Sequence, residues 1–314
     1  MTIVFQNELF LRHDTGNHPE TAERLVAIDR VLAASGRLKY DRGGAATAIG
    51  AGDLSVVHAA DVMLRAQALA AQGGGHLDED TVLSAQSYEV ALTAAATARA
   101  AVDEVMSGGH RNALCLVRPP GHHATPSRSM GFCVFNNVAV AAEHARRAHH
   151  ANRILIVDWD VHHGNGTQDI FYEREDIVFY SIHRAPFYPG TGAADEVGSG
   201  KGRGATINVP VKFGVDRSTY KQLFAAGLER SLAVAKPDLI IISAGFDAHH
   251  LDPVGSLGLE TEDFATMTEI VCDVADDVCQ GRVVSCLEGG YHLQALGASV
   301  AEHLRVLTTR QSLK

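Results

Sequence analysis

Short aliphatic runs punctuate the chain, and most of them end in a polar cluster. Segments 2–5 (TIVF), 113–117 (ALCLV), 153–157 (RILIV), 177–182 (IVFYSI), 205–209 (ATINV), 239–242 (LIII) and 282–287 (RVVSCL) are largely continuous in apolar residues rather than alternating. Such runs read as strands buried on both faces. Residues 87–106 and 137–149 are Ala-rich, with apolar positions at helical spacing, and Gly108-Gly109 closes the first of them. Helices are also expected over 262–279 and 293–307, and from His18-Pro19-Glu20 through an acidic first turn towards Ala34. Arg146, Arg147, His149 and His150 gather at the end of 137–149, where positive charge complements the helix dipole. Gly73-Gly74-Gly75, followed by the acidic Asp78-Glu79-Asp80, predicts a loop, as do the glycines and prolines of 185–204. Strands alternating with helices predict an α/β fold on a parallel sheet covered on both faces. The pattern leaves the strand order open.

Four of the runs lead into side chains that bind metals or move protons. Residues 153–157 lead into Asp158-Trp159-Asp160-Val161-His162, and 239–242 lead into Ser243-Ala244-Gly245-Phe246-Asp247. Residues 282–287 precede Glu288-Gly289-Gly290-Tyr291, and 113–117 precede Arg118-Pro119-Pro120-Gly121-His122-His123. Open α/β sheets place their ligand crevice at the carboxyl ends of strands. Taken singly, each residue has an ordinary explanation: an Asp caps a helix or turn, and a Tyr after Gly-Gly packs. Their accumulation at four strand ends is poorly explained by capping and chance. Asp160, His162 and Asp247 would give a divalent ion two carboxylates and one imidazole, leaving positions open for water and substrate. Open coordination marks a catalytic site rather than a closed structural one.

Composition narrows the picture further. The 314 residues contain no Pro/Ser-rich tract, charge block or repeat, so one domain spanning 1–314 is expected. A net charge of −10 argues against broad electrostatic binding to nucleic acid. It suits cationic substrates such as lysine-rich tails or polyamines, and equally suits plain solubility. The opening MTIVFQNELF lacks a signal-peptide pattern and no stretch is long enough to span a membrane, so a cytoplasmic protein is expected. The five cysteines, at 115, 133, 272, 279 and 286, are odd in number, lie mostly in apolar runs and lack CxxC spacing. They read as reduced thiols rather than a thiolate zinc site. A homo-oligomer stays open.

In sequence order, RPPGHHA (118–124), GFCVFNN (131–137), DWDVHHGNGTQ (158–168), SIHR (181–184), SAGFDAH (243–249) and LEGGY (287–291) resemble the histone deacetylase-like zinc amidohydrolases. The resemblance runs from His18 to Tyr291. The Asn of HHGNGTQ and the Arg of SIHR are closer to the class II branch. Tyr291, where some class II members carry His, is closer to the catalytically competent subset. The resemblance implies a three-layer arginase/deacetylase-like α/β fold, with a mostly parallel central sheet between helices. It implies a zinc-dependent deacetylase that removes acetyl or other acyl groups from the ε-amine of lysine in proteins or peptides.

The resemblance also implies roles. Asp160, His162 and Asp247 hold zinc. His123 is general base and then general acid, and it faces Asn165. His122 is its electrostatic partner, bonded to Asp158. Tyr291 donates its hydroxyl to the developing oxyanion. Potassium is expected on Asp158, Ser181 and Ile182, with carbonyls of Asp160 and His162, and again on carbonyls of Phe171, Arg174 and Ile177. Phe132 and Tyr188 match paired tunnel aromatics, with Tyr188 replacing the usual Phe; ordinary packing would account for both without the resemblance. Gly131 and Gly289 are expected beside the substrate, and Asp80 at a rim that hydrogen-bonds its backbone. Val254 stands near where polyamine-preferring members can carry an acidic gatekeeper, so an apolar residue there leans towards acyl-lysine. His183, His249 and His250 have no metal role in this scheme. The rivals are an amidohydrolase of acetylpolyamines or another small molecule, a non-catalytic acyl-lysine-binding module, and a binuclear manganese ureohydrolase. His122, His123 and Tyr291 together argue against a mere binder, while Trp159 and Val161 supply no bridging ligands for a second manganese.

Overall fold

The computed structural model describes residues 1–36 and 38–309. Ten strands are seen among these residues: β1 (Thr2–Phe5), β2 (Asp41–Arg42), β3 (Gly74–Asp78), β4 (Thr81–Ser84), β5 (Asn112–Cys115), β6 (Ile154–Asp158), β7 (Ile177–Arg184), β8 (Thr206–Val211), β9 (Leu239–Ala244) and β10 (Val283–Leu287). The α-helices are α1 (Glu23–Ser35), α2 (Ala51–Leu54), α3 (Ala60–Ala71), α4 (Ser87–Met106), α5 (Asn137–His149), α6 (Asn165–Phe171), α7 (Arg217–Ala235), α8 (Thr261–Cys279) and α9 (Leu293–Thr309).

Eight strands form one sheet in the order β2-β1-β5-β10-β9-β6-β7-β8, and every pair in it is parallel. Helices flank it, giving a three-layer α/β arrangement. The continuous apolar runs are explained by this position: every residue of β6, β9 and β10 is buried. Each such Ile, Leu or Val contributes roughly 1.5–3 kcal/mol by leaving water. On one side α4 packs against α5, β5 and β10. Ala91, Ala94, Ala95, Ala98 and Ala101 are buried along α4, and their small side chains let its neighbours approach closely. Asn136 begins α5 by accepting the Ala139 N–H at 3.0 Å, a side-chain cap of the kind that starts helices.

The predicted loop around 73–81 is instead an antiparallel hairpin of β3 and β4, with Gly74 opposite Ser84 and Gly75 opposite Leu83. Its glycines erased the alternating pattern that identifies a strand. They are needed because a side chain on Gly74 would collide with the Leu83 carbonyl. The pattern singles out no element over 60–71 or 217–235, where α3 and α7 lie. The buried face of α7 mixes Gly227, Ser231 and Ala235 with Tyr220, Phe224 and Leu228, which dilutes its apolar stripe. No helix among the described residues is long and apolar enough to cross a membrane.

The sheet order is what assembles the functional residues. Strands β5, β10, β9 and β6 are consecutive neighbours at its centre. The segments carrying His122 and His123, Tyr291, Asp247, and Asp160 with His162 therefore leave the same edge of the sheet side by side.

Candidate active site

Asp160, His162 and Asp247 meet at the floor of a pocket, all buried, with one potential ligand atom from each within 4.8 Å of the others. His162 Nδ1 lies 3.0 Å from Asp160 Oδ1 and 3.1 Å from Asp247 Oδ2. Donors about 2.0–2.1 Å from a tetrahedral ion are about 3.3–3.4 Å apart, so these atoms are spaced much as ligands of one ion. The remaining carboxylate oxygens are held by backbone. Val161 N–H donates to Asp247 Oδ1 at 2.9 Å, and Gly289 N–H to Asp160 Oδ2 at 2.8 Å. Asp247 Oδ2 is buried and makes no hydrogen bond of good geometry, the His162 ring 3.1 Å away included. A buried carboxylate oxygen so oriented costs several kcal/mol unless a cation or donor meets it. The donor set and the orphaned oxygen both fit a zinc ion.

The electrostatics point the same way. Burial alone would lower the His162 pKa, but the Asp160 and Asp247 carboxylates raise it to about 9. Burial and repulsion from Asp160 push Asp247 up to about 7. Two buried carboxylates at this point thus demand positive charge, which a divalent ion supplies. Side chains on Gly245 or Gly289 would strike the Asp160 and Asp247 carboxylates. Gly289, expected at the substrate, lies behind these carboxylates rather than on the pocket wall.

His122 and His123 have different partners. His122 Nδ1 is 3.0 Å from Asp158 Oδ2. His123 Nδ1 is 2.8 Å from Asn165 Oδ1, while the Asn165 amide faces the Met130 sulfur at 3.5 Å. His123 Nδ1 therefore carries the hydrogen and donates it, leaving Nε2 as an acceptor. Burial disfavours charge on both rings. At His122 the Asp158 and Asp160 carboxylates overcome this and raise the pKa well above its ordinary value. At His123 burial is reinforced by His122 and His162, and the pKa falls well below the ordinary value. One ring is thus held charged and its neighbour neutral.

The wall opposite carries Tyr291. Its pKa stands well above that of a free phenol, because desolvation outweighs the pull of Arg24. The hydroxyl therefore remains a donor. The Arg24 guanidinium lies 4.9 Å from the Tyr291 ring centroid, and its Nε–H donates to the Gly290 carbonyl at 2.7 Å. Glu20 pairs with both Arg24, at 3.0 Å, and Arg118, at 2.6 Å. Asp252 fixes the segment from the other side: Oδ2 accepts from Tyr291 N–H at 2.7 Å and Oδ1 from Val254 N–H at 3.0 Å. Glu288 accepts from Gly121 N–H at 2.7 Å and His122 N–H at 3.2 Å, which sets the histidine pair.

The pocket above this floor has a volume of about 170 Å³ and is lined by Asp80, His123, Gly131, Phe132, His162, Phe187, Tyr188, Val254 and Tyr291. Phe132 makes edge contacts with the rings of Tyr291, at 5.7 Å, and His18, at 4.5 Å. Its φ of +68° is strained for an aromatic residue. Thr81 helps hold that turn by accepting the Phe132 N–H at 3.1 Å. Tyr188 stands edge-on to His123 at 5.2 Å. Asp80, at the β3–β4 turn, accepts the Gly131 N–H at 3.1 Å.

Phe187 is a wall residue that the sequence reading missed. It stacks on His162 at 5.1 Å and 14°. The Arg184 guanidinium sits 4.1 Å from Phe187 and 4.5 Å from Phe213 and donates to the Gly255 carbonyl at 3.0 Å. Arg184 thus braces both the wall residue Phe187 and the Val254 loop. Arg24, Asp252 and Glu288 were also missed as site residues; the clue is burial of charged side chains, which only the fold reveals.

Of the residues expected around potassium, Asp158 and Ser181 are register partners on β6 and β7, with Ile182 next along β7. Phe171, Arg174 and Ile177 string along the turn from α6 into β7, where Arg174 N–H donates to the Phe171 carbonyl at 2.9 Å. His183 bonds Ser181 Oγ at 2.9 Å and the Gly192 carbonyl at 3.0 Å.

Residues 18–307 match the histone deacetylase domain family. A Pseudomonas aeruginosa protein named histone deacetylase-like amidohydrolase is 38% identical, over 96% of this chain and 86% of its own. An Arabidopsis thaliana protein named histone deacetylase 14, chloroplastic, is 36% identical, over 99% of this chain and 78% of its own. The crystal structure of the HDA15 HD domain superimposes with a TM-score of 0.92 and 37% identity, covering all of this chain and 90% of that one.

Proposed function

The chain belongs to the histone deacetylase family, and on that premise we propose that it removes acetyl, or another short acyl group, from the ε-amine of lysine in proteins or peptides. It is a deacetylase, a hydrolase acting on acetylated substrates. The observation that carries the finer reading is the convergence of Asp160, His162 and Asp247 beneath a narrow aromatic pocket, with the orphaned Asp247 oxygen aimed among them.

Zinc, held by those three residues, would polarise the acyl carbonyl and acidify its water. The neutral His123 takes the water's proton on Nε2 as the oxygen attacks the amide carbon. Asn165 keeps that ring in the tautomer with Nε2 free. Tyr291 donates its hydroxyl hydrogen to the carbonyl oxygen as negative charge develops there. His123 then returns the proton to the departing lysine amine as the carbon–nitrogen bond breaks. His122, charged beside Asp158, lowers the energy of the anionic intermediate and keeps His123 neutral at rest. Phe132 and Tyr188 confine the alkyl stem and exclude water, and Asp80 is placed at the rim to accept from a substrate backbone N–H.

Potassium at Asp158, Ser181 and Ile182, and at Phe171, Arg174 and Ile177, belongs to the same proposal. Its support is the buried Asp158, whose charge a monovalent cation would offset. Residues 1–314 act here as one catalytic domain, with 37 and 310–314 outside the described residues. Location in the cytoplasm is supported by five buried free cysteines.

Val254 lines the pocket, so the mouth lacks an acidic group at that position. This favours a neutral acyl-lysine stem over an acetylated polyamine, whose amines would be desolvated there. Val254→Glu is expected to shift kcat/KM towards acetylspermidine. Steady-state kinetics on both substrates check this, and an unchanged preference would remove Val254 from the specificity argument.

Asn165→Asp places a carboxylate on His123, stabilising the imidazolium and raising its pKa. A base with a raised pKa is protonated at higher pH, so the acidic limb of kcat/KM should move up by about one pH unit or more. Zinc content should not change, since residue 165 is not a ligand. An unmoved limb in a zinc-replete variant would transfer the base role to His122.

A further inference from the structure

A second cluster of metal-binding groups lies at the opposite end of the sheet. Asp103 is in the last turn of α4, and His144 and His149 are near the end of α5. Both imidazoles direct Nε2 at the same oxygen, Asp103 Oδ1, at 2.6 Å from His144 and 2.7 Å from His149. Helix α4 ends just before β5 begins and α5 just before β6 begins. The cluster therefore sits where strands start, away from the strand-end loops that carry Asp160 and His123.

Two observations ask for a cation here. The first is donor convergence: one ligand atom from each residue falls within 4.8 Å of the others. The second is the position of the carboxylate. An anion in the last turn of a helix faces the negative end of its dipole. No basic residue in the last turn of α4 offsets it, and the end of α5 adds a second negative pole. Arg146 and Arg147, which share that last turn of α5, pair with Asp176 at 2.5 Å and Glu143 at 3.4 Å. Asp103 is left to the two histidines. Neutral imidazoles would give it hydrogen bonds without charge, whereas a coordinated ion would give it charge as well.

We propose that Asp103, His144 and His149 form a second, exchangeable site for a divalent transition-metal ion of zinc's class. Two imidazoles and one carboxylate select zinc, nickel or copper over magnesium or calcium. Without an ion, each Nε2 carries its hydrogen and donates to Oδ1. On binding, the ring hydrogen moves to Nδ1 and the Nε2 lone pair turns to the metal, so a neutral ring loses no proton. The histidine side chains are 20% exposed and the Asp103 side chain 52%. Water can therefore fill the remaining positions, and the ion enters and leaves freely.

The cluster of His249, His250 and Glu260 has similar composition, but the His249 ring is locked in its tautomer and the hydrogen cannot move to Nδ1. His249 Nδ1 accepts the Leu251 N–H at 3.2 Å, so its Nε2 carries hydrogen towards Thr261 Oγ1 at 3.5 Å and offers no lone pair.

The test is calorimetric titration of desalted, zinc-loaded protein with zinc chloride in a non-coordinating buffer. Wild type should bind one further ion per chain beyond the tightly held one. His144→Gln and His149→Gln should each weaken that event by at least the roughly 10–100-fold that losing an outer-shell partner costs. The double variant should lack it. Deacetylase activity should be unchanged in all three, showing that they fold. The proposal is overturned if wild type takes up no second ion. It is equally overturned if the double variant still binds one, which would place the ion elsewhere, such as His249–His250–Glu260.

Discussion

Tyr291→Phe is expected to lower kcat by about 10²–10³, equivalent to roughly 2.7–4 kcal/mol of transition-state stabilisation. The substitution removes one hydroxyl and leaves the ring in contact with Phe132 and Arg24. The backbone bonds from Gly290 to Arg24 and from Tyr291 to Asp252 do not involve the hydroxyl and should persist. Packing, metal content and fold should therefore stay as they are. What is lost is a donor whose phenol stays protonated as charge develops. KM should change little, because the stronger interaction is made in the transition state. Single-turnover kinetics with zinc analysis on the same preparation check this. Wild-type turnover in the variant would exclude Tyr291 from the chemistry.

Asp247→Ala is expected to abolish both stoichiometric zinc and activity. The residue contributes one of three donors, and its Oδ2 is buried without a well-formed hydrogen bond. Burial and then repulsion from Asp160 already raise the Asp247 pKa, so removing one carboxylate relieves electrostatic strain in the metal-free fold. The chain should therefore still fold, at the cost of an unpaired Val161 N–H. Asp247→Asn keeps the shape and separates geometry from charge: it should also bind zinc far more weakly than wild type. Metal analysis after desalting reads both variants. One tightly held zinc per chain in either would show that the ion is held elsewhere.

Much of this was legible because a buried parallel sheet writes a simple signature. A strand such as LIII must be apolar on both faces, and the polar residue that follows must emerge at the sheet edge. Asp160, Asp247, His123 and Tyr291 could therefore be placed at strand ends before their neighbours were known. Their adjacency was not legible, since it depends on β10 lying between β5 and β9. Arg24 was hidden for the same reason: it bonds Gly290 across 266 residues of chain, and in sequence it is one more charge in a helix. Asp252 looks like a turn residue beside a proline, yet it ties Tyr291 to Val254. The β3–β4 hairpin escaped because glycines carry no alternation, although it brings Asp80 to the pocket. Phe187 stood next to Tyr188, and only the stacking on His162 tells the two apart.

The most direct test of the central claim is the ratio of kcat/KM for zinc-loaded protein on acetyl-lysine peptides to that on acetylspermidine, with Tyr291→Phe as control. The expected result is efficient peptide hydrolysis, a clear preference over the polyamine, and loss of both activities in the control. More efficient cleavage of acetylspermidine would contradict the lysine assignment while leaving the hydrolase intact. No Tyr291-dependent hydrolysis of either substrate would contradict the catalytic reading of the site.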